Sequence, residues 1–277
     1  MLKQRVITAV LLLAIILPAI FHSDIRWLAS ASMVLVTLAA WEWGSLNQLS
    51  SNHAVMFSGL CSLICALLWM LDIKPVDTFP IWILVGVVWL FMLIFFLRAG
   101  TAGWLAVPVF FRNLIGIFAL TATWFSLFQS KFISTAYLFS VLLLVCTADI
   151  SAYFVGKKWG RHKLAPSISP GKSVEGLLGG VAGVLVLALA WLVLQNYVAA
   201  INDNIYSKLY AHGVIELLGG VLFLTLASAS GDLFESLIKR SAGMKDSSKL
   251  LPGHGGVLDR LDAMLPTLPL ALLLYLI

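Results

Sequence analysis

Asp259 and Asp262 lie three residues apart in the stretch Pro252-Gly253-His254-Gly255-Gly256-Val257-Leu258-Asp259-Arg260-Leu261-Asp262. A helix starting near Val257 points both carboxylates to one side. Mg2+ is commonly held by one or two carboxylates together with substrate phosphates, so this pair has the chemistry of a metal site. Two acids at a helix start, favoured there by the helix dipole, are the plainer alternative. Gly255 and Gly256 permit tight turns and let the backbone come close to a ligand. His254, taken alone, is more often a structural hydrogen-bonder than a catalyst.

A second set precedes it. Asp232, Glu235 and Lys239 fall at i, i+3 and i+7 after an apolar run from Val221, on one face of a helix. Glu235 with Lys239 also reads as a simple ion pair. Lys245 and Asp246 follow. Upstream, Asp149, Tyr153 and Gly156 share a helical face directly after the apolar run Leu142 to Cys146. Asp149 reads as a metal or substrate ligand facing a cavity, or as a helix-end acid reaching toward water. The basic run Lys157 to Lys163 and the stretch Ser169-Pro170-Gly171-Lys172-Ser173-Val174-Glu175-Gly176 come next. Gly171-Lys172-Ser173 resembles the tail of a P-loop, but the first glycine of that motif would fall at Pro166 and no strand precedes it. A phosphate-binding loop at a helix N-terminus remains open, and so does a plain attraction to anionic lipid heads. Gly176 to Gly183 holds overlapping small-xxx-small pairs, which serve close helix packing.

These residues are set in a chain of 277 residues that is 61% hydrophobic and only 11% charged, with a mean hydropathy of +0.99. Soluble domains run at about 45–50% apolar and about 25% charged. So few charges cannot cover a water-exposed surface, and the solvent for most of the chain is lipid. The predicted fold class is an all-α polytopic membrane protein. Nine helical spans are expected at about 6–21, 27–46, 54–71, 80–97, 113–129, 132–156, 174–198, 213–231 and 263–277. With Lys3 and Arg5 placed in the cytoplasm, alternation puts 14 of the 18 basic residues on that side. Only Arg26, Lys74, Lys131 and Lys208 fall outside, which satisfies the positive-inside rule with the N-terminus cytoplasmic and the C-terminus outside. The net charge of +5 is therefore a topology signal, and no nucleic-acid partner is expected. Cys61, Cys65 and Cys146 lie in apolar runs and read as small packing residues.

Charges are sparse up to residue 145 and dense after it. Ionisable groups within a membrane are costly and mark polar interior sites. The chain divides accordingly into N-terminal transmembrane helices, 1–131, and a C-terminal catalytic transmembrane region, 132–277.

Ser236 to Asp262 reads S-x-I-K-R, four residues, K-D-x-S, two residues, L-P-x-H-G-G-V-x-D-R-L-D. This resembles the signature of the phosphatidate cytidylyltransferase (CDP-diacylglycerol synthase) family. The A-D-x-x-A-Y stretch at Ala148 and the S-P-x-K-S-x-E-G stretch at Ser169 are also similar to it. Ile150-Ser151 and Ser173 depart from the family pattern and remove no charged group. The likeness covers about 145–265 in motifs and the rest in topology only. It implies that CTP and phosphatidic acid give CDP-diacylglycerol and pyrophosphate with Mg2+, for phospholipid biosynthesis; the compact multi-pass chain without an organelle-targeting segment leads us to expect a bacterial inner membrane, and the charge bias a site facing the cytoplasm. A homodimer is implied as well.

The resemblance also implies roles. Asp232, Lys239, Asp246 and Asp259 carry the catalytic reading. Asp232 and Asp259 are metal ligands, with Asp149, Glu235 and Asp262 as partners. Lys172, Ser173, Arg240, Lys245, His254, Gly255, Gly256 and Arg260 line up for substrate. A transporter or flippase would also carry intramembrane charges, but here they gather at the cytoplasmic span ends instead of threading the midplane. A related transferase with another lipid acceptor is the nearer rival. Asp259→Ala is expected to abolish turnover in a protein that stays folded; wild-type turnover by that variant in a lipid-transfer assay would remove Asp259 from the set.

Overall fold

The computed structural model describes residues 2–71, 73 and 75–277, with the side chains of residues 2–6, 9 and 76 left aside. Lys74 and the Lys3 and Arg5 side chains, used above for orientation, lie outside what is described. The helices are α1 (Leu2–Phe21), α2 (Ile25–Leu46), α3 (Ser51–Met70), α4 (Phe79–Ala106), α5 (Val109–Ile133), α6 (Thr135–Trp159), α7 (Val174–Leu194), α8 (Ile205–His212), α9 (Val214–Ser241), α10 (Leu258–Leu261) and α11 (Met264–Leu276). All nine segments expected to span are helical. Among the described residues, six helices, α3 to α7 and α9, are long and apolar enough to cross a membrane. Their outward faces carry Met56, Leu84, Phe91, Val186 and Leu189, all exposed, as lipid-facing surfaces do.

Sequence chemistry sets the helix ends. Asp24 accepts from the Arg26 N–H, Ser134 from Tyr137, Ser173 from Gly176 and Asn204 from Ser207, each filling an orphan donor at an N-terminus. α4 is broken at Gly100, where φ is +65°. The basic loop after α6 forms a short antiparallel hairpin of β1 (Lys163–Ala165) and β2 (Ser169–Ser173). α9 runs ten residues past the end expected at 231, so Asp232 to Arg240 continues the apolar helix without a break.

α11 occupies the middle of the bundle, against α4, α5, α6, α8 and α9, and its residues Leu265 to Leu272 are all buried. Pro269 has no N–H, so the Leu265 carbonyl loses its helical partner. The Thr123 hydroxyl stands 3.0 Å from that oxygen and shares its one proton between it and the Ala119 carbonyl at 2.6 Å. At one end of the bundle Lys131 reaches the Ile20 carbonyl and Tyr275 donates to Asp203. The opposite end holds the Ser236 to Asp262 stretch.

α6 and α7 pack through the glycines read as a packing motif. A Cβ at Gly176 would stand 2.9 Å from the Ala152 carbonyl oxygen, and one at Gly180 would stand 3.1 Å from that of Ala148. Backbone cannot yield as a flexible side chain does. Gly176→Val is therefore expected to cost about 1–3 kcal/mol by overpacking and to lower the melting temperature in detergent. Gly219→Ala, with nothing within 4 Å of the added methyl, is the neutral control. Equal melting temperatures for the two would contradict this account of the α6–α7 contact.

Candidate active site

The end of the bundle that is rich in basic residues holds a cavity of about 860 Å³ between α6, the hairpin, α7, α9 and the loop after α9. Asp149 and Tyr153 come from α6, Lys172 and Ser173 from the hairpin, and Asp232, Lys239 and Arg240 from α9. Lys245, Asp246, Asp259, Arg260 and Asp262 close it from the loop and the α10 turn. Residues more than a hundred positions apart in sequence thus share one wall. Glu235, His254, Gly255 and Gly256 stand behind it.

Lys239 sits between two carboxylates. Its ammonium pairs with Glu235, one turn back on α9 and 0% exposed, and reaches Asp259 at 2.5 Å. Asp259 is further engaged. Its Oδ2 accepts from the Gly256 N–H at 2.7 Å and the Ser247 N–H at 2.9 Å. Burial by itself would raise this carboxyl, but the Lys239 ammonium and those N–H groups outweigh burial and hold it below the ordinary range.

On the other side of the cavity Lys172 pairs with Asp232 at 2.6 Å. Arg240 donates to the Ile168 carbonyl and to that of Met244, which ties the hairpin tip to the end of α9. Ser173 is buried and caps α7 through its hydroxyl, and Glu175 accepts from the Arg161 and His162 N–H groups. Arg260 donates to the His254 carbonyl at 2.8 Å. Lys245 and Asp246 are exposed at the mouth.

The glycines have specific reasons. Gly255 has φ +83°, a region that side chains rarely adopt, and a Cβ there would meet Asp259 Oδ2 at 2.6 Å. A Cβ at Gly256 would stand 2.0 Å from Ser247 Oγ and 2.4 Å from Glu42 Oε1. The space left by these two glycines is filled by carboxylates. Gly231 lets α9 touch the chain entering α11, since a Cβ would lie 2.5 Å from the Asp262 carbonyl oxygen. That contact brings Asp232 toward Asp262.

Glu42, from α2, lies outside every motif read in the sequence. It is 0% exposed and accepts from four donors of the 247–258 loop. Its signal was present: a lone acid between Trp41 and Trp43 in an apolar span.

Among the described residues, no three carboxylate, imidazole or thiol side chains converge closely enough to enclose an ion. Asp149, Asp232 and Asp262 nonetheless face the same cavity. Among the described residues the ion pairs reach Asp232 and neither of the other two. Burial first, and then the charges of Asp232 and Asp149, push Asp262 well above the ordinary carboxylate range. The oxygens of these three side chains are of the type that fits Mg2+, which usually takes one or two carboxylates together with substrate oxygens.

Comparison with known proteins finds similar chains. A model of the cytidylyltransferase family matches residues 3–277. The phosphatidate cytidylyltransferase of Pseudomonas aeruginosa is 34% identical over 272 residues, 97% of this chain and 95% of that one. The enzyme of the same name from Haemophilus influenzae is 32% identical over 293 residues, 97% of this chain and 96% of the other. A Staphylococcus aureus enzyme of that name is 42% identical over 134 residues, 48% of this chain and 46% of its own.

Asp262 gives a pH prediction. A carboxyl whose folded value is raised stabilises the fold only while protonated, below its ordinary value near about pH 4. That contribution is lost as pH rises through the raised value. Metal-free Asp262→Asn should therefore melt above the wild type at neutral pH, and the difference should close as pH falls below the carboxylate range. A lower melting temperature for Asp262→Asn at neutral pH would show that the carboxylate is structurally needed.

Proposed function

The chain belongs to the cytidylyltransferase family, and on that premise we propose that its cavity transfers the cytidylyl group of CTP to phosphatidic acid, giving CDP-diacylglycerol and pyrophosphate. The observation that carries this reading is the cavity itself. It gathers Lys172, Arg240, Lys245 and Arg260 with Asp149, Asp232, Asp246 and Asp262 at the basic end of a lipid-facing bundle. Binding pockets run to about 300–1,000 Å³, and this one is large enough for a nucleotide with a lipid head group beside it.

In the reaction a phosphate oxygen of phosphatidic acid attacks the α-phosphorus of CTP. The bond from that phosphorus to the β-phosphate oxygen breaks, and pyrophosphate leaves with the electron pair. Both reactants are anions, so positioning and charge neutralisation carry the catalysis. Lys172, on the hairpin, and Lys245 and Arg260, on the loop, supply positive charge from opposite walls. Lys239 holds Asp259 in place, and Arg240 holds the hairpin over the site. Asp149, Asp232 and Asp262 are the residues proposed to hold Mg2+, which when bound would neutralise phosphate charge and polarise the reacting phosphorus, whereas Asp259 and Glu235, expected as ligands from the sequence, are engaged by Lys239.

The finer topology belongs to this reading: nine spans, the N-terminus and the cavity on the cytoplasmic side, the C-terminus outside, in a bacterial inner membrane. CTP is water-soluble and cytoplasmic, and the bias of Lys and Arg toward the cavity end supports that orientation. A homodimer is part of the reading on the family resemblance.

The test supplies purified protein in detergent with α-labelled CTP, phosphatidic acid and Mg2+, and follows label into the organic phase. Label should enter lipid with release of pyrophosphate, and chelation or omission of phosphatidic acid should abolish it. Transfer to a different lipid acceptor, with none to phosphatidic acid, would replace the substrate assignment.

A further inference from the structure

Glu42 stands apart from the cavity and touches none of the space a substrate would fill. Its two carboxylate oxygens receive donors from both ends of one loop. From the N-terminal end, the Ser248 hydroxyl reaches Oε1 at 2.5 Å and the Ser247 hydroxyl reaches Oε2 at 3.0 Å. From the C-terminal end, the Val257 N–H donates to Oε1 at 2.9 Å and the Leu258 N–H to Oε2 at 2.7 Å. The loop between those ends has its own crossing contact, a pair of strand-like positions at Leu251 and Gly255. A third tie comes from α1, where the Thr8 hydroxyl donates to the Pro252 carbonyl at 3.0 Å.

The link to the site is short. The Ser247 hydroxyl lies 3.0 Å from Glu42 and 2.9 Å from Asp259. Having one proton, it donates to one carboxylate at a time and bridges the two. The Ser247 and Gly256 N–H groups that fix Asp259 sit directly beside the donors that Glu42 fixes. Asp259 in turn holds Lys239. Glu42 and Asp259 therefore share the Ser247 hydroxyl and hold adjacent donors of the same loop.

We infer that Glu42 is a positioning residue: a buried carboxylate on α2 that clamps the 247–258 loop and so sets the geometry of the acids on it. A carboxylate is required because two oxygens must accept from four donors. Glutamine has one acceptor oxygen, and its NH2 would face one backbone N–H head on while the serine hydroxyl beside it would have to turn and accept. Removing the acceptor from a buried donor costs more than the bond was worth, so the loop would move to find other partners. Gly256 is matched to this arrangement, since any side chain there would displace the Glu42 oxygen.

The kinetic arm of this inference rests on the cytidylyl-transfer reading, and the structural arm does not. The experiment compares wild type, Glu42→Gln and Ser248→Ala by hydrogen exchange, thermal melting, and kcat and KM for CTP in the labelled transfer assay. For Glu42→Gln, exchange should quicken at residues 245–258 and nowhere else. Its kcat should fall by about a hundredfold, the effect of a misplacement near 1 Å, with KM for CTP changing far less. Ser248→Ala, losing one donor of four, should keep most of its activity. Unchanged exchange at 245–258, or unchanged kcat, in Glu42→Gln would overturn the inference. Faster exchange across all helices with a collapsed melting temperature would also overturn it, because the role would then be global stability. An inactive wild type whose loop still responds to Glu42→Gln would overturn the reaction and keep the clamp.

Discussion

The Lys239 ammonium, set between Glu235 and Asp259, is the interaction on which the site hangs. Each of these groups is excluded from water to a degree that an isolated charge would not tolerate. Two carboxylates around one cation leave net negative charge, and that charge is met by N–H groups of the loop. Breaking any one member strands the others, which is why α9 and the loop form one unit. The loop has no hydrophobic core of its own and no regular strand. Its shape follows from the groups that satisfy buried acids.

The same unit is gripped from the apolar side. Phe234 lies between Leu233 and Glu235 in α9 and is fully buried. Trp43, Trp89, Phe96 and Trp104 surround its ring, with centroids 5.5 to 6.2 Å away and mostly tilted or edge-on geometry. Such pairs add to the burial of large rings. Three of these four aromatics come from α4 and one from α2. One face of α9 presents acids to the cavity, while another locks into helices from the first part of the chain.

Much of this was legible in the sequence. Asp232, Glu235 and Lys239 at helical spacing predict a shared face; α9 brings Asp232 and Lys239 to the cavity, while Glu235 pairs with Lys239 behind its wall. The Gly176 to Gly183 run predicts close packing, and α6 and α7 meet there. The nine apolar runs predict helices and are helical over most of their length, with six of the described helices long and apolar enough to cross a membrane. The parts that were not legible are long-range and polar. Glu42 carries its signal in type and position, but no spacing rule links a lone acid in α2 to a loop 200 residues away. Gly255 and Gly256 read as a place for a ligand, because a glycine pair shows only that something must come close. It does not show that the something is a carboxylate of the same chain. The hairpin at 163–173 is too short, and too rich in Pro and Gly, to carry a strand pattern.

The separation between Glu42 and Val257 is 215 residues. At a synthesis rate of about 5–20 residues per second, roughly 10–40 s pass between the two leaving the ribosome. For that interval α2 and its carboxylate exist without any of the four donors that will hold it. A chain that ends early, or whose last helices fail to insert, keeps that acid uncapped beside apolar helices. The clamp is therefore also a record of how far synthesis has run: only a chain made past Leu258 can close it.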